Sequence, residues 1–234
     1  MKYAIVFRQI GLAASVCAGL ALAYPQELSA KDPPPEVSAD GLHLQKSTNE
    51  RLVYVRPGAT LTPYKRVAIL DCYVEFEKNW QRDYNSSRIG LEGRVSDKDV
   101  DRMKSKLAAE FKKVFIDELQ TNGGYEVVDT AAPDVLVLRP ALMNVEVNAP
   151  DLMSADIGAT VVRSAGQMTL YLELWDSATN TILARVMDAQ ADSNAFAQRA
   201  SGVTNKVAAD RILKGWAEDL RKHLDAANGK ASGS

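Results

Sequence analysis

Two histidines, two cysteines and thirty acidic residues set the limits on what this 234-residue chain can catalyse. Histidine acid–base chemistry has only His43 and His223 to draw on. The second lies in Arg221-Lys222-His223 at the end of a helical pattern, where a cation complements the helix dipole. No nucleophile elbow, no His/Cys cluster of zinc-ligand spacing and no phosphate-cradling glycine loop occurs. No cofactor or metal is expected. Carboxylate pairs remain, because paired-acid hydrolysis needs only two such groups at a suitable separation. Asp71 and Glu75 share a strand face, Asp176 reads as a turn former and Asp188 as a strand end. A non-enzymatic chain is the expectation, and an envelope hydrolase using a carboxylate pair is the alternative.

The mixture of residue types in Glu77 to Arg94 points to recognition instead. Trp80, Arg82 and Tyr84 belong to the types enriched at interface hot spots, and a loop of this length within a domain is more often functional or disordered than incidental. These three are the candidate binding residues, offered to an envelope protein or a cell-wall component. The competing explanation is that Trp80 and Tyr84 fold back to pin the loop. The patch of Lys104, Lys106, Lys112 and Lys113 reads as a solvated helix face, and a net charge of −2 gives no attraction to nucleic acid.

The elements that must position these residues follow from periodicity. Gly166 to Gln190 is the most regular stretch: Met168, Leu170, Leu172 and Leu174 alternate with Thr169, Tyr171, Glu173 and Trp175, as in a strand with one buried face. Asp176 to Asn180 turns the chain, and Ile182, Ala184 and Val186 resume the alternation. Matching the buried faces sets Leu174 opposite Ile182, Leu172 opposite Ala184 and Leu170 opposite Val186. Tyr171 and Arg185 then meet on the other face. Arg66 to Phe76 is a further strand, Tyr125 to Val128 and Asp134 to Met143 two more, with Pro140 marking an edge or bulge. Ser96 caps a helix whose stripe runs through Met103, Leu107, Phe111 and Phe115, and a second helix from Thr204 or Asn205 aligns Ile212, Trp216, Leu220 and Leu224. This order gives an α+β fold: a mainly antiparallel sheet with two long helices packed on one face.

The N-terminus differs in kind. Lys2 and Arg8 precede the apolar run Ile10 to Ala23, Pro25 breaks it, and Leu28-Ser29-Ala30 offers a cleavage site. Residues 1–30 are expected to be a signal peptide, 31–63 a Pro-containing tether and extended arm, 64–228 a single domain and 229–234 a disordered tail. Export to the periplasm or the outer membrane follows. A lipid anchor at Cys17 is disfavoured, since Ala14-Ser15-Val16 lacks the small residue and leucine that lipoprotein signals place before their cysteine. Cys72, on an alternating strand, reads as a buried inert thiol.

With the segments in place, the chain resembles the bacterial domain of unknown function family 3313, secreted envelope lipoproteins. The resemblance covers Asp40 to Asp188. It is carried by Asp40-Gly41-Leu42, Tyr54-Val55-Arg56-Pro57-Gly58-Ala59, Tyr64-Lys65-Arg66-Val67, Gly124-Tyr125-Glu126-Val127-Val128, Ser164 to Leu170, Glu173-Leu174-Trp175-Asp176-Ser177 and Leu183-Ala184-Arg185. It implies export and an α+β domain and supplies no catalytic residues.

Overall fold

The computed structural model describes residues 33–86, 93–121, 124–147, 160–162, 166–191, 198–200 and 202–230. The expected signal peptide, Cys17, the helix stop expected at Asn122-Gly123 and the last four residues lie outside these. So do most of the excursion expected over 148–163 and most of the loop expected after Ala191. The elements in chain order are β1 (His43–Ser47), β2 (Arg51–Val55), β3 (Arg66–Ile69), β4 (Tyr73–Phe76), α1 (Trp80–Ser86), α2 (Asp97–Gln120), β5 (Glu126–Val127), β6 (Val135–Val147), β7 (Thr160–Val162), β8 (Gly166–Asp176), β9 (Thr181–Ala191), β10 (Gln198–Ala200) and α3 (Gly202–Ala227). From Pro35 onward they form one unit.

An eight-stranded sheet runs in the order β1-β2-β9-β8-β6-β3-β5, with β4 also paired to β6, while β7 and β10 make a small antiparallel pair of their own. The class is α+β, but the sheet is mixed, not mainly antiparallel. Strands β3 and β4 both run parallel to β6, and β3 runs parallel to β5. Parallel neighbours need a long crossover, and the 24-residue α2 between β4 and β5 provides one. Within the stretch expected to be an arm, β1 and β2 form a hairpin that extends the sheet beside β9.

The strand expected over Arg66 to Phe76 is two strands, and Pro140 explains the break. On β6, residues Val135 to Leu138 pair with β3 and Ala141 to Val145 pair with β4. Pro140 falls where the neighbouring strand is interrupted between Ile69 and Tyr73. It has no N–H to give a ladder, so this is the one place inside β6 that tolerates it.

The β8–β9 hairpin forms with a register two residues from the expected one. Leu174 faces Ala184, Leu172 faces Val186 and Leu170 faces Asp188, and a bulge after Leu174 sets Trp175 opposite Ile182. A shift of two keeps the side chains from Ala184 to Asp188 on their expected face, so their alternation is satisfied by either register and the turn decides, while the bulge turns Ile182 to the opposite face beside Trp175. Here Asp176 Oδ1 accepts hydrogen bonds from the Ala178 and Thr179 amides at 3.0 and 2.7 Å, and Asn180 adopts a left-handed φ of 53°.

Helices α2 and α3 share one core with the sheet. Phe111, Phe115 and Leu119 of α2 and Leu213, Trp216, Leu220 and Leu224 of α3 are buried with Leu138, Leu142, Leu170 and Leu174. Ser96 opens α2 with a reciprocal cap, its hydroxyl accepting from the Asp99 amide while Asp99 accepts from the Ser96 amide.

The opposite face of the hairpin carries a charge network instead. Glu173, only 6% exposed, accepts hydrogen bonds from Tyr171 at 2.7 Å, Trp175 Nε1 at 3.1 Å and Arg185 at 2.9 Å. Arg185 also pairs with Asp40. Burial works against its charge, but the two carboxylates hold the guanidinium firmly protonated. Next to them, Arg56 Nε donates to the Ile182 carbonyl at 2.6 Å and Tyr54 to the Pro35 carbonyl at 3.0 Å. Leu42, Tyr54 and Ile182 close a small second core there. Asp40, Tyr54, Arg56 and Arg185, among the residues that carried the family resemblance, are therefore tethers that fasten residues 35–56 across the hairpin.

Candidate functional site

The helix side of the same strands opens into a cavity of about 430 Å³ under α3. Its floor consists of cross-strand rows. Val53, Val186 and Leu172 are aligned in one row, Val55, Ala184 and Leu174 in the next, and Arg51, Asp188 and Leu170 in a third. The helix supplies Trp216, Asp219, Leu220 and His223, spaced so that all four fall on one face. Aliphatic side chains line the body of the space, and the charged residues gather where the Arg51–Asp188 row meets α3.

Asp188 lies at that charged end and is 4% exposed. Its Oδ1 accepts from Gln190 Nε2 at 3.0 Å, whereas Arg51 is 3.7 Å from Oδ2, beyond hydrogen-bond length. Arg51 is drawn instead to Asp219, to which it donates a hydrogen bond. His223 Nδ1 is 2.7 Å from the Asp219 carbonyl oxygen and 3.8 Å from its carboxylate. Lys46 on β1 lines the same end. The indole N–H of Trp216 and the Nε of Arg51 are shielded from water and have no acceptor among the described residues, a deficit that buried polar groups rarely carry. Nothing in this arrangement activates a nucleophile. It suits enclosure of an apolar molecule with a polar end, and its volume lies in the range of small-molecule sites.

A second cavity of about 540 Å³ lies between α2, α3 and the far end of the sheet, lined by Phe76, Leu107, Val145, Met168 and Ile212. Glu146 lies at its edge, hydrogen-bonded to Glu77. That bond, with burial and the Glu77 charge, pushes the Glu146 carboxyl up to about 7. The two acids are hydrogen-bonded to each other, too close together to flank a scissile bond with a water between.

Trp80, Arg82 and Tyr84 are on α1, a short helix where the sequence suggested a loop. Trp80 is 9% exposed, donates from Nε1 to the Val147 carbonyl at 3.2 Å, and packs on Phe76 and Tyr84 at ring separations of 4.5 and 5.7 Å. Gln81 and Asn85 bind the Val95 carbonyl at 3.1 and 2.8 Å, tying α1 to the start of α2. Arg82 is 71% exposed beside Asp83. Trp80 serves as an anchor and Tyr84 stacks on it half-buried, so of the three it is Arg82 that the helix presents outward. Asp71 and Glu75 are both exposed and line none of these cavities. Asp176 holds the hairpin turn and accepts a 2.7 Å hydrogen bond from Tyr64.

Asp188 is the site residue that a strand-end assignment hides. The available signal is its parity: it continues the inward series Ala184, Val186, Asp188 once β9 is extended to Ala191. Burial raises the Cys72 thiol to about 12, as suits an inert thiol packed half-buried against the core. Among the described residues no group of three or more His, Cys, Asp or Glu is placed to hold a metal, and no helix is long and apolar enough to cross a membrane.

The chain belongs to the family described as Protein of unknown function (DUF3313), whose model matches residues 37–220. No curated protein matches it. Similar solved structures include the PelC dodecamer from Paraburkholderia phytofirmans, 12% identical over 70% of this chain and 96% of that one with a TM-score of 0.35. A Xanthomonas campestris protein of family-model DUF330 is 10% identical over 74% and 90%, with a TM-score of 0.31.

Proposed function

We propose that this DUF3313 member is an exported, non-enzymatic binding domain of the cell envelope that encloses an amphiphilic molecule between α3 and the β2–β9–β8 part of its sheet. The observation that carries the proposal is the cavity of about 430 Å³, aliphatic along its floor and charged at one end. Export is supported by the basic start, apolar run and small-residue site of residues 1–30. A periplasmic or outer-membrane location agrees with an amphiphilic ligand, because the envelope is where such molecules are handled.

Binding is tested with N-phenyl-1-naphthylamine, a neutral apolar dye whose fluorescence rises on leaving water. Saturable enhancement by the purified domain is expected. Val53→Phe and Val186→Phe, which fill the cavity from half-buried positions, should each weaken dye binding by roughly ten-fold or more. Unchanged binding in both variants contradicts the assignment.

A second surface is favoured by the exposure of Arg82 beside Tyr84 on α1, which is tied to α2 and so presents them on a fixed frame. A protein or cell-wall partner would meet these two residues, with Trp80 beneath them as support. Substituting Arg82 and Tyr84 together and finding the same cross-linked partners in cells would remove this surface from consideration.

A further inference from the structure

Given binding in the cavity under α3, on which this inference rests, we infer that the ligand is an uncharged ester of an aliphatic acid, and that Arg51 and Trp216 donate hydrogen bonds to its ester oxygens. Both residues line the cavity. The Nε–H of Arg51 and the indole N–H of Trp216 are shielded from water and have no acceptor among the described residues, and Trp216 is only 6% exposed. Trp216 and Asp219 are three residues apart on α3 and so neighbours on its surface. Arg51 donates from a terminal nitrogen to Asp219, which brings both donor residues to one stretch of the helix. A buried N–H without an acceptor has lost its hydrogen bond to water, and a ligand oxygen that accepts from it recovers that loss.

The surrounding charges select an acceptor that carries no charge of its own. Lys46 and Arg51 are matched in number by Asp188 and Asp219, and His223, the other titratable residue lining the cavity, is exposed. The two carboxylates already have partners. Asp219 accepts from Arg51, while Asp188 has Gln190 at 3.0 Å and the ion pair with Arg51 at 3.7 Å. A charged head would give up its hydration and find no buried counter-ion left over for it. An ester brings no charge to desolvate, and its carbonyl oxygen offers two acceptor lone pairs with no proton that needs a partner. The walls fix the rest of the molecule: the row of Val53, Val186 and Leu172, with Leu220 of α3, surrounds the chain with branched aliphatic side chains.

The experiment uses methyl decanoate labelled with carbon-13 at its carbonyl, with displacement of N-phenyl-1-naphthylamine reading affinity and isotope-edited infrared spectra reading the carbonyl. The ester should displace the dye at a lower concentration than decanoate or decylammonium. Its bound carbonyl band should lie below the position it has in hydrocarbon solution, because accepting hydrogen bonds weakens the C=O stretch. Trp216→Phe keeps an aromatic ring in the wall and removes the N–H. The dye has no carbonyl, so its affinity for each variant is the baseline; relative to it, methyl decanoate should weaken roughly five-fold and its band should move toward the hydrocarbon position. Arg51→Lys keeps the positive charge between the two carboxylates, removes the Nε donor and should act in the same direction; it also serves as the check should Trp216→Phe fail to fold by circular dichroism. A bound band at the hydrocarbon position in the wild type overturns the inference. So does a lowered band that stays in place in either folded variant, as hydration by solvent alone would produce, or a relative ester affinity that does not fall. Decanoate or decylammonium displacing the dye at a concentration no higher than the ester overturns it too. Absence of dye binding to the wild type overturns the cavity assignment itself.

Discussion

At the scale of single residues, the hairpin separates two kinds of buried acid. Glu173 is surrounded by donors from Tyr171, Trp175 and Arg185, so its charge is satisfied and its work is structural. Asp188 on the opposite face has a guanidinium too distant to bond and faces a cavity. Breaking the first arrangement leaves a buried carboxylate short of its cation. Arg185→Ala should therefore cost about 3 kcal/mol, measured by urea unfolding. Glu146 gives a pH signature. Its carboxyl is raised to about 7, so the folded chain keeps a proton that an unfolded glutamate releases near pH 4.3. The resulting stabilisation is full below about pH 4 and is lost as pH rises through about 7. Solvent screening at this half-exposed pair reduces it to about 1 kcal/mol. Comparing unfolding midpoints at about pH 5 and about pH 8 should show this loss in the wild type and not in Glu146→Gln.

Among the elements, those with long uninterrupted patterns were legible and those decided by a partner were not. The stripe of α2 announced itself through Phe111, Phe115 and Leu119, and Ser96 marked its start. Removing that cap by Ser96→Ala should lower stability by about 1 kcal/mol without changing the cavity, a difference that thermal unfolding reads directly. The split of residues 66–76 into β3 and β4 was not legible, because the alternation continues across Leu70 to Cys72 and only Pro140, on another strand, records the break. Helix α1 was missed for a related reason. Seven residues are too few for a periodic signal, and the helix is held by Trp80 on Val147 and by Gln81 and Asn85 on Val95, contacts made by residues distant in sequence. The hairpin faces were readable except at Ile182, which the bulge turns to the side of Trp175, and the register was not, since period-two alternation survives a shift of two and the Asp176 turn decides between the alternatives.

Over the whole unit from Pro35 onward, the sheet divides its tasks between faces. One face builds the core with α2 and α3 and leaves the space over the β2–β9–β8 rows. The other fixes residues 35–56 across the hairpin through Asp40, Arg56 and Arg185. Of the residues by which the chain resembles its family, Asp40, Tyr54, Arg56 and Arg185 belong to that second face, whereas Val55, Leu170, Leu174 and Ala184 line the cavity and read in the sequence only as core. Val53, Val186 and Leu172 look like any core residues until the strand order sets them in one row under α3.

The three tryptophans lie in three different settings, with Trp216 lining the cavity, Trp80 opening α1 and bonded to Val147, and Trp175 against Leu42 and Ile182. Indole N–H spectra of tryptophan-labelled protein titrated with N-phenyl-1-naphthylamine test enclosure in the cavity directly. The expected result is a saturable shift of the Trp216 resonance, abolished in Val53→Phe, with Trp80 and Trp175 unmoved. A Trp216 resonance that stays in place while the dye binds would contradict the account.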